Sequence, residues 1–236
     1  MKTIACNWKM YLNRKQALKL AKELKNYATE QIILFPSLIH LHEVATVLGK
    51  SKITLGAQKC SAFAEGGFTG GISAKQLAEY DCQYVLIGHS ERRMHFAETP
   101  EIIASKITQA QTAGLKVILC VGEPYDVHQN KQSLAFILDQ VKACLPHHLD
   151  SKDIILAYEP IWAIGTGITP TAKDIENTVK NIKTSLHWKG DIWYGGSVSA
   201  KNINWLKDIK VLDGFLIGAA STRYEEISKI IEILQD

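Results

Sequence analysis

Apolar residues recur along this chain in two alternating patterns. Short apolar runs at Thr3–Trp8, Ile32–Phe35, Ile53–Gln58, Tyr84–Gly88, Lys116–Val121, Ile154–Tyr158, Ile192–Tyr194 and Gly214–Ile217 read as buried strands. Between them, apolar positions return at helical spacing over Arg14–Tyr27, Leu38–Leu48, Ala74–Tyr80, Pro100–Ala113, Gln132–Cys144, Thr171–Leu186, Ala200–Leu206 and Tyr224–Leu234. Ser73 ahead of Ala74 and Thr99 ahead of Pro100 and Glu101 are start signals, and Gly114 after Ala113 is a stop signal.

Eight strand–helix units in 236 residues, with no low-complexity linker to split them, predict one α/β domain over residues 1–236, a (β/α)8 barrel. A doubly wound open sheet is the alternative. Its phosphate fingerprint G-x-G-x-x-G is missing: Gly165-Thr166-Gly167-Ile168-Thr169-Pro170 has two of the three glycines, and it follows strand six rather than strand one.

Composition narrows the function classes. Apolar residues make up 46% and charged residues 22%, an ordinary globular balance, and no apolar run approaches the length of a membrane span. The N-terminal residues are interrupted by Asn7 and Lys9 before a signal-peptide core can form, which predicts a cytoplasmic protein. The five cysteines lack C-x-x-C spacing and are odd in number, which favours reduced thiols over disulfides or a zinc site. A formal charge of +3 is too small to argue for nucleic acid, yet it suits a small anionic substrate. Lys19, Lys22 and Lys25 lie opposite Leu18, Ala21 and Leu24, as the solvated face of one helix does.

In a barrel the loops after the strands meet on one face, where active sites sit. Polar residues at those positions are Asn7 and Lys9 after strand one and Gly88-His89-Ser90-Glu91-Arg92-Arg93 after strand four. Glu159 follows strand six, Gly195-Gly196-Ser197 strand seven, and Gly218-Ala219-Ala220-Ser221 strand eight. Glu159 closes an apolar run, Pro160 fixes the chain's exit, and the next seven residues carry no charge. A carboxylate under a loop that excludes water suits proton abstraction beside a carbonyl. His89 stands at a helix start, where the dipole disfavours imidazolium, so a neutral imidazole is available to donate to a carbonyl oxygen. Lys9 supplies positive charge, with Glu91 as its partner. Backbone N–H groups at Ser197, Gly218 and Ala219 suit a phosphate.

Each group has a plainer reading when taken singly. Glu159 caps the next helix, His89 is a satisfied structural residue, Lys9 is a surface lysine, and the glycines are turns. Arg92 and Arg93 are expected to make structural ion pairs. Metal chemistry finds little support, since H-E-x-x-H is absent and His40/His42 and His147/His148 stand apart from carboxylates. A nucleophile elbow G-x-S-x-G is likewise absent, and Cys120 sits in an apolar strand.

Together, Asn7-Trp8-Lys9-Met10, Gly88-His89-Ser90-Glu91-Arg92-Arg93, Cys120-Val121-Gly122-Glu123, Ala157-Tyr158-Glu159-Pro160 with Ala163-Ile164-Gly165-Thr166-Gly167, and Tyr194-Gly195-Gly196-Ser197 strongly resemble the triosephosphate isomerase family, in order and over nearly the whole chain. The resemblance implies Glu159 as base, His89 as neutral electrophile, and Lys9 with Asn7 in the substrate site, a chemistry well established for that family. It also implies phosphate contacts from Gly165, Ser197, Gly218 and Ala219, support from Glu91, and a lid from Pro160 to about Thr169. Interconversion of dihydroxyacetone phosphate and D-glyceraldehyde 3-phosphate would follow, with no cofactor, no metal, no nucleic-acid or membrane partner, and a homodimer. In such a dimer the loop Glu65-Gly66-Gly67-Phe68-Thr69-Gly70-Gly71 carries Thr69 to the partner's active site.

The sequence departs from the family pattern at several positions. Gly71 replaces an acidic residue, which removes an ion pair with Arg92; Lys59 replaces an Asn, and Tyr11 another. Ile168-Thr169-Pro170 replaces the usual hinge, and Ala219 stands where a second glycine is common. Two further readings stay open: isomerisation of a four-carbon ketose phosphate on the same fold, and a non-catalytic barrel scaffold.

Overall fold

The computed structural model describes residues 2–27, 29, 31–146, 151–164 and 170–235. Strands β1 (Thr3–Asn7), β2 (Ile32–Phe35), β3 (Thr54–Ala57), β4 (Cys82–Ile87), β5 (Lys116–Val121), β6 (Ile154–Tyr158), β7 (Ile192–Tyr194) and β8 (Gly214–Ile217) pair in chain order. Every pairing is parallel, and β8 closes on β1 through Thr3–Gly214 to Cys6–Ile217. The barrel is thus the expected one; the open sheet is not adopted.

Around it lie α1 (Arg14–Leu24), α2 (Leu41–Leu48), α3 (Ala74–Glu79), α4 (Ser90–Phe96), α5 (Pro100–Thr112), α6 (Tyr125–Gln129), α7 (Ser133–Cys144), α8 (Ala172–Ser185), α9 (Ile203–Leu206) and α10 (Tyr224–Gln235). The expected caps are present. Ser73 and Gln76 form a reciprocal capping box, and the Thr99 side chain accepts from Ile102 N–H. Gly114 ends α5 at φ +77°. The segment Leu38–Leu48 divides into a 3-10 turn (Leu38–His40) and α2, while Ala200–Leu206 shortens to α9.

Side-chain parity separates two apolar layers. On β5, Val117, Leu119 and Val121 face the helices, whereas Ile118 and Cys120 face the barrel interior with Ala5, Phe35, Trp193 and Leu216. The same parity carries Asn7, two residues beyond Ala5, and Glu159, two beyond Ala157, to the C-terminal mouth. All five cysteines are buried free thiols. Among the described residues no helix is long and apolar enough to cross a membrane.

Candidate active site

The C-terminal mouth holds a cavity of about 710 Å³ lined by Asn7, Lys9, His89, Glu91, Glu159, Ser197, Gly218 and Ala219, among others. All the proposed site residues meet there except two. Gly165, with the segment to Thr169, lies outside the described residues. Thr69 is exposed on the loop after β3 and does not line this cavity.

Glu159 is only 2% exposed. Parity turns it inward, and two glycines admit it. A Cβ on Gly122 would overlap the Glu159 carbonyl oxygen at 1.6 Å, and one on Gly195 would press on Glu159 Cγ at 2.8 Å. Its Oε1 lies 3.4 Å from His89 Nε2, and its Oε2 lies 3.4 Å from Ser90 N–H at the start of α4. Cys120 packs beneath it. Burial first, and then the adjacent Glu159 carboxylate, push that thiol well above its usual value, so it stays protonated and hydrogen-bonds to Glu159.

His89 is buried at the N-cap of α4, where its Nδ1 accepts the Glu91 N–H at 3.2 Å. A nitrogen that accepts carries no proton, so the ring's own proton sits on Nε2, facing Glu159 and the cavity. Glu91 Oε2 is 3.7 Å from Nδ1, beyond hydrogen-bond reach, and the other oxygen takes Lys9 Nζ at 2.6 Å. Burial pushes the Glu91 carboxyl up, but the Lys9 hydrogen bond and charge more than offset this and hold it below the usual carboxylate value.

Lys9 occupies left-handed backbone at φ +48°, a sparsely populated conformation for a non-glycine residue. Three contacts fix it there. Asn7 Oδ1 accepts Lys9 N–H at 3.1 Å, Gln58 Nε2–H donates to Lys9 O at 2.9 Å, and Nζ is held by Glu91. Gly218 lies directly under the Lys9 stem, where a Cβ would stand 3.4 Å from Cε. Ser197 Oγ–H donates to Ala163 O at 2.6 Å, tying the loop after β7 to the segment that follows Glu159. Gly218 precedes the 3-10 turn Ala219–Thr222 at the cavity wall.

Of the two ion pairs expected from Arg92 and Arg93, one is present. Arg92 does pair with a carboxylate, Glu98, which it shares with the buried Lys106. Arg93 makes no such pair among the described residues; its Nε–H donates to Gly88 O at 2.7 Å and its Nη2 to Cys120 O at 3.1 Å, stitching the end of β4 to β5. Lys59 is half-buried beside Arg92 and Lys106, and burial and then those cations lower its pKa. Sequence reasoning did not assign roles to Gln58, Cys120 or Glu123. The alternation along β5 places Cys120 on Glu159's face, but nothing local marks Gln58 as the support for Lys9.

Comparison with known proteins decides the family. The family model described as Triosephosphate isomerase matches residues 2–234. The chain belongs to the triosephosphate isomerase family. It is an enzyme of that isomerase class. A triosephosphate isomerase of Amoebophilus asiaticus is 43% identical, with 98% of each chain covered. One from Thermoanaerobacter sp. is 39% identical, with 97% of each covered. The crystal structure of the Bartonella henselae triosephosphate isomerase superposes with a TM-score of 0.88 at 30% identity, covering 100% of this chain and 99% of that one. The family thereby agrees with the motif order from Asn7 to Ser221, and the solved fold agrees with the closed barrel.

Proposed function

We propose that this chain interconverts dihydroxyacetone phosphate and D-glyceraldehyde 3-phosphate through an enediolate. The observation that carries this reading is the pairing of a fully buried carboxylate with a neutral imidazole. Glu159 Oε1 is 3.4 Å from His89 Nε2, and Lys9 stands in the same cavity. Glu159 takes the proton from the carbon beside the carbonyl, and the electron pair moves to the carbonyl oxygen. His89 Nε2–H hydrogen-bonds that oxygen, and Lys9 lowers the potential of the developing charge. Transfer of the adjacent hydroxyl proton to that oxygen, and return of the abstracted proton from Glu159 to the former carbonyl carbon, complete the isomerisation, so the scheme calls on no cofactor or metal. The phosphate rests on Ser197, Gly218, Ala219 and Gly165, and the segment from Pro160 to about Thr169 closes as a lid that limits phosphate elimination.

A homodimer belongs to the same reading. A cleft beside the site, of about 420 Å³, is lined by Lys9, Met10, Lys59, Glu91, Arg92 and Phe96. Met10 is 94% and Phe96 64% exposed in the isolated chain. Apolar side chains in that position call for a cover. The loop bearing Thr69, stiffened by the Phe63–Phe68 stack with ring centroids 3.8 Å apart, is the proposed cover from a second copy. We place the enzyme in the cytoplasm, in glycolysis and gluconeogenesis.

The test is a coupled assay of the purified chain with glyceraldehyde 3-phosphate beside a four-carbon ketose phosphate. Strong preference for the three-carbon substrate is expected. Preference for four carbons would replace the substrate, and turnover of neither would leave the scaffold reading.

A further inference from the structure

The catalytic cavity continues past the phosphate seat. Ser197, Gly218 and Ala219 mark that seat in the isomerase reading, and the exposed Lys201 and Arg223 line the same cavity at its rim, with Glu226. A triose phosphate has about ten heavy atoms; at roughly 30 Å³ for each water-sized group it fills less than half of the cavity's 710 Å³. The rim thus holds room and charge that the isomerisation does not use.

Hydrogen bonds fix the backbone that carries both cations. After β7, Ser199 N–H donates to Asn202 Oδ1 at 2.9 Å and Asn202 Nδ2–H donates to Ser197 O at 2.8 Å. Lys201 therefore rides on a closed turn that begins at the phosphate seat. Arg223 follows the 3-10 turn Ala219–Thr222, and its carbonyl accepts Ile227 N–H at 3.0 Å in the first turn of α10. Glu226, on that same first turn, takes Ala200 N–H on Oε1 at 2.8 Å. This bridge joins the residue before Lys201 to the helix that follows Arg223, so the two loops hold a fixed separation.

The other cations near the site are spoken for: Lys9 by Glu91, and Arg92 and Lys106 by Glu98. Neither Lys201 nor Arg223 has an ion-pair or side-chain hydrogen-bond partner among the described residues. Glu226 is the acid at that end, with one oxygen committed to Ala200, and against two cations it leaves the rim net positive. We propose that Lys201 and Arg223 form a second anion subsite, contiguous with the phosphate seat, and that the pair of subsites takes a diphosphate. The inner phosphoryl group rests on Ser197, Gly218 and Ala219, as the substrate phosphate does. The outer one lies between the Lys201 ammonium and the Arg223 guanidinium, whose paired N–H groups match phosphoryl oxygens. Such a ligand occupies the substrate's seat, so diphosphates inhibit the enzyme competitively. The inner seat rests on the isomerase reading above; the outer pair of cations does not.

The experiment titrates the full-length wild type and the Lys201→Ala/Arg223→Ala double variant with inorganic phosphate and with inorganic pyrophosphate. Calorimetry at low salt, without divalent cations, gives both affinities, and the pyrophosphate titration is repeated in saturating phosphate. Inhibition of glyceraldehyde 3-phosphate turnover by pyrophosphate is measured on the same samples. In wild type, pyrophosphate should bind one per chain and roughly tenfold more tightly than phosphate, as two exposed charge contacts allow. Phosphate should displace it, its inhibition should be competitive, and its advantage should shrink as salt rises. In the double variant the advantage should fall below about twofold. Equal affinities in wild type, an advantage that survives in the double variant, or pyrophosphate that phosphate does not displace overturns the proposal. Absence of wild-type turnover defeats the isomerase reading instead, and the calorimetric ratio then decides by itself whether the subsite exists.

Discussion

The two mouths of the barrel are built on one side-chain alternation and use it in opposite ways. At the N-terminal mouth, inward positions on β4, β5 and β7 carry Tyr84, Lys116 and Trp193. The Lys116 ammonium lies over the Tyr84 ring at 5.4 Å, with its head near solvent, and Trp193 is buried as a plug. At the C-terminal mouth, Glu159 is more deeply buried than any solvated acid tolerates and lies against His89 rather than a lysine or arginine. Lys9 is strained at φ +48° and is turned to Glu91. The first mouth satisfies packing and keeps its charge in water. The second gives up both to aim three groups at one cavity, as sites that do chemistry commonly do.

The comparison breaks if substitutions at the two mouths act alike. At the C-terminal mouth, His89→Gln should lower kcat by roughly 10²- to 10³-fold, because it removes the donor aimed at the developing oxyanion. Its unfolding midpoint in urea should stay close to wild type. At the N-terminal mouth, Trp193→Ala should cost about 3–5 kcal/mol in the same urea titration while kcat of the folded protein at low temperature stays within a few-fold. A large kcat loss there without loss of stability would erase the division between the mouths.

Two smaller effects sharpen it by locating pure stability terms next to the site. Glu98 is buried, which pushes its carboxyl up, but Lys106 and Arg92 outweigh this and hold it below the usual value. Its folded pKa is depressed, so its contribution is present at neutral pH and is lost as pH falls from about 4.3 through the folded value. Glu98→Gln should therefore cost about 3 kcal/mol at pH 7, because it leaves Lys106 buried and unpaired. The gap from wild type should close below about pH 4 in a pH series of urea melts. Ala97 ends α4 at φ +50°, so Ala97→Gly should stabilise by about 1 kcal/mol, read as a rise in thermal midpoint with kcat unchanged.

Much of this molecule was legible in its residues. The bounds of β2, β5, β6, β7 and β8 coincide with their apolar runs, because buried strands leave little room for polar positions. Helix α6 was not foreseen as an element, and of α4 only the start after His89 was. Of α4 only Ser90 is buried and of α6 nothing is, so neither has the apolar stripe that periodicity detects. Glu159, His89 and Lys9 stood out because strand ends in a barrel converge. The supports around them did not. The φ of Lys9, the reach of Gln58 across to it, and the capture of Arg93 by two carbonyls depend on tertiary approach between distant segments. Family resemblance marked Glu123, but only packing joined it to Trp162 and His128.

The most direct measurement follows hydrogen exchange from deuterated water into dihydroxyacetone phosphate by wild type and Glu159→Gln, with turnover measured on the same samples. Wild type should label the carbon beside the carbonyl and isomerise. Glu159→Gln should fold normally, lose roughly 10³-fold or more in turnover, and lose the label in proportion. Labelling or turnover in Glu159→Gln within a few-fold of wild type would contradict the assignment of Glu159 as the base.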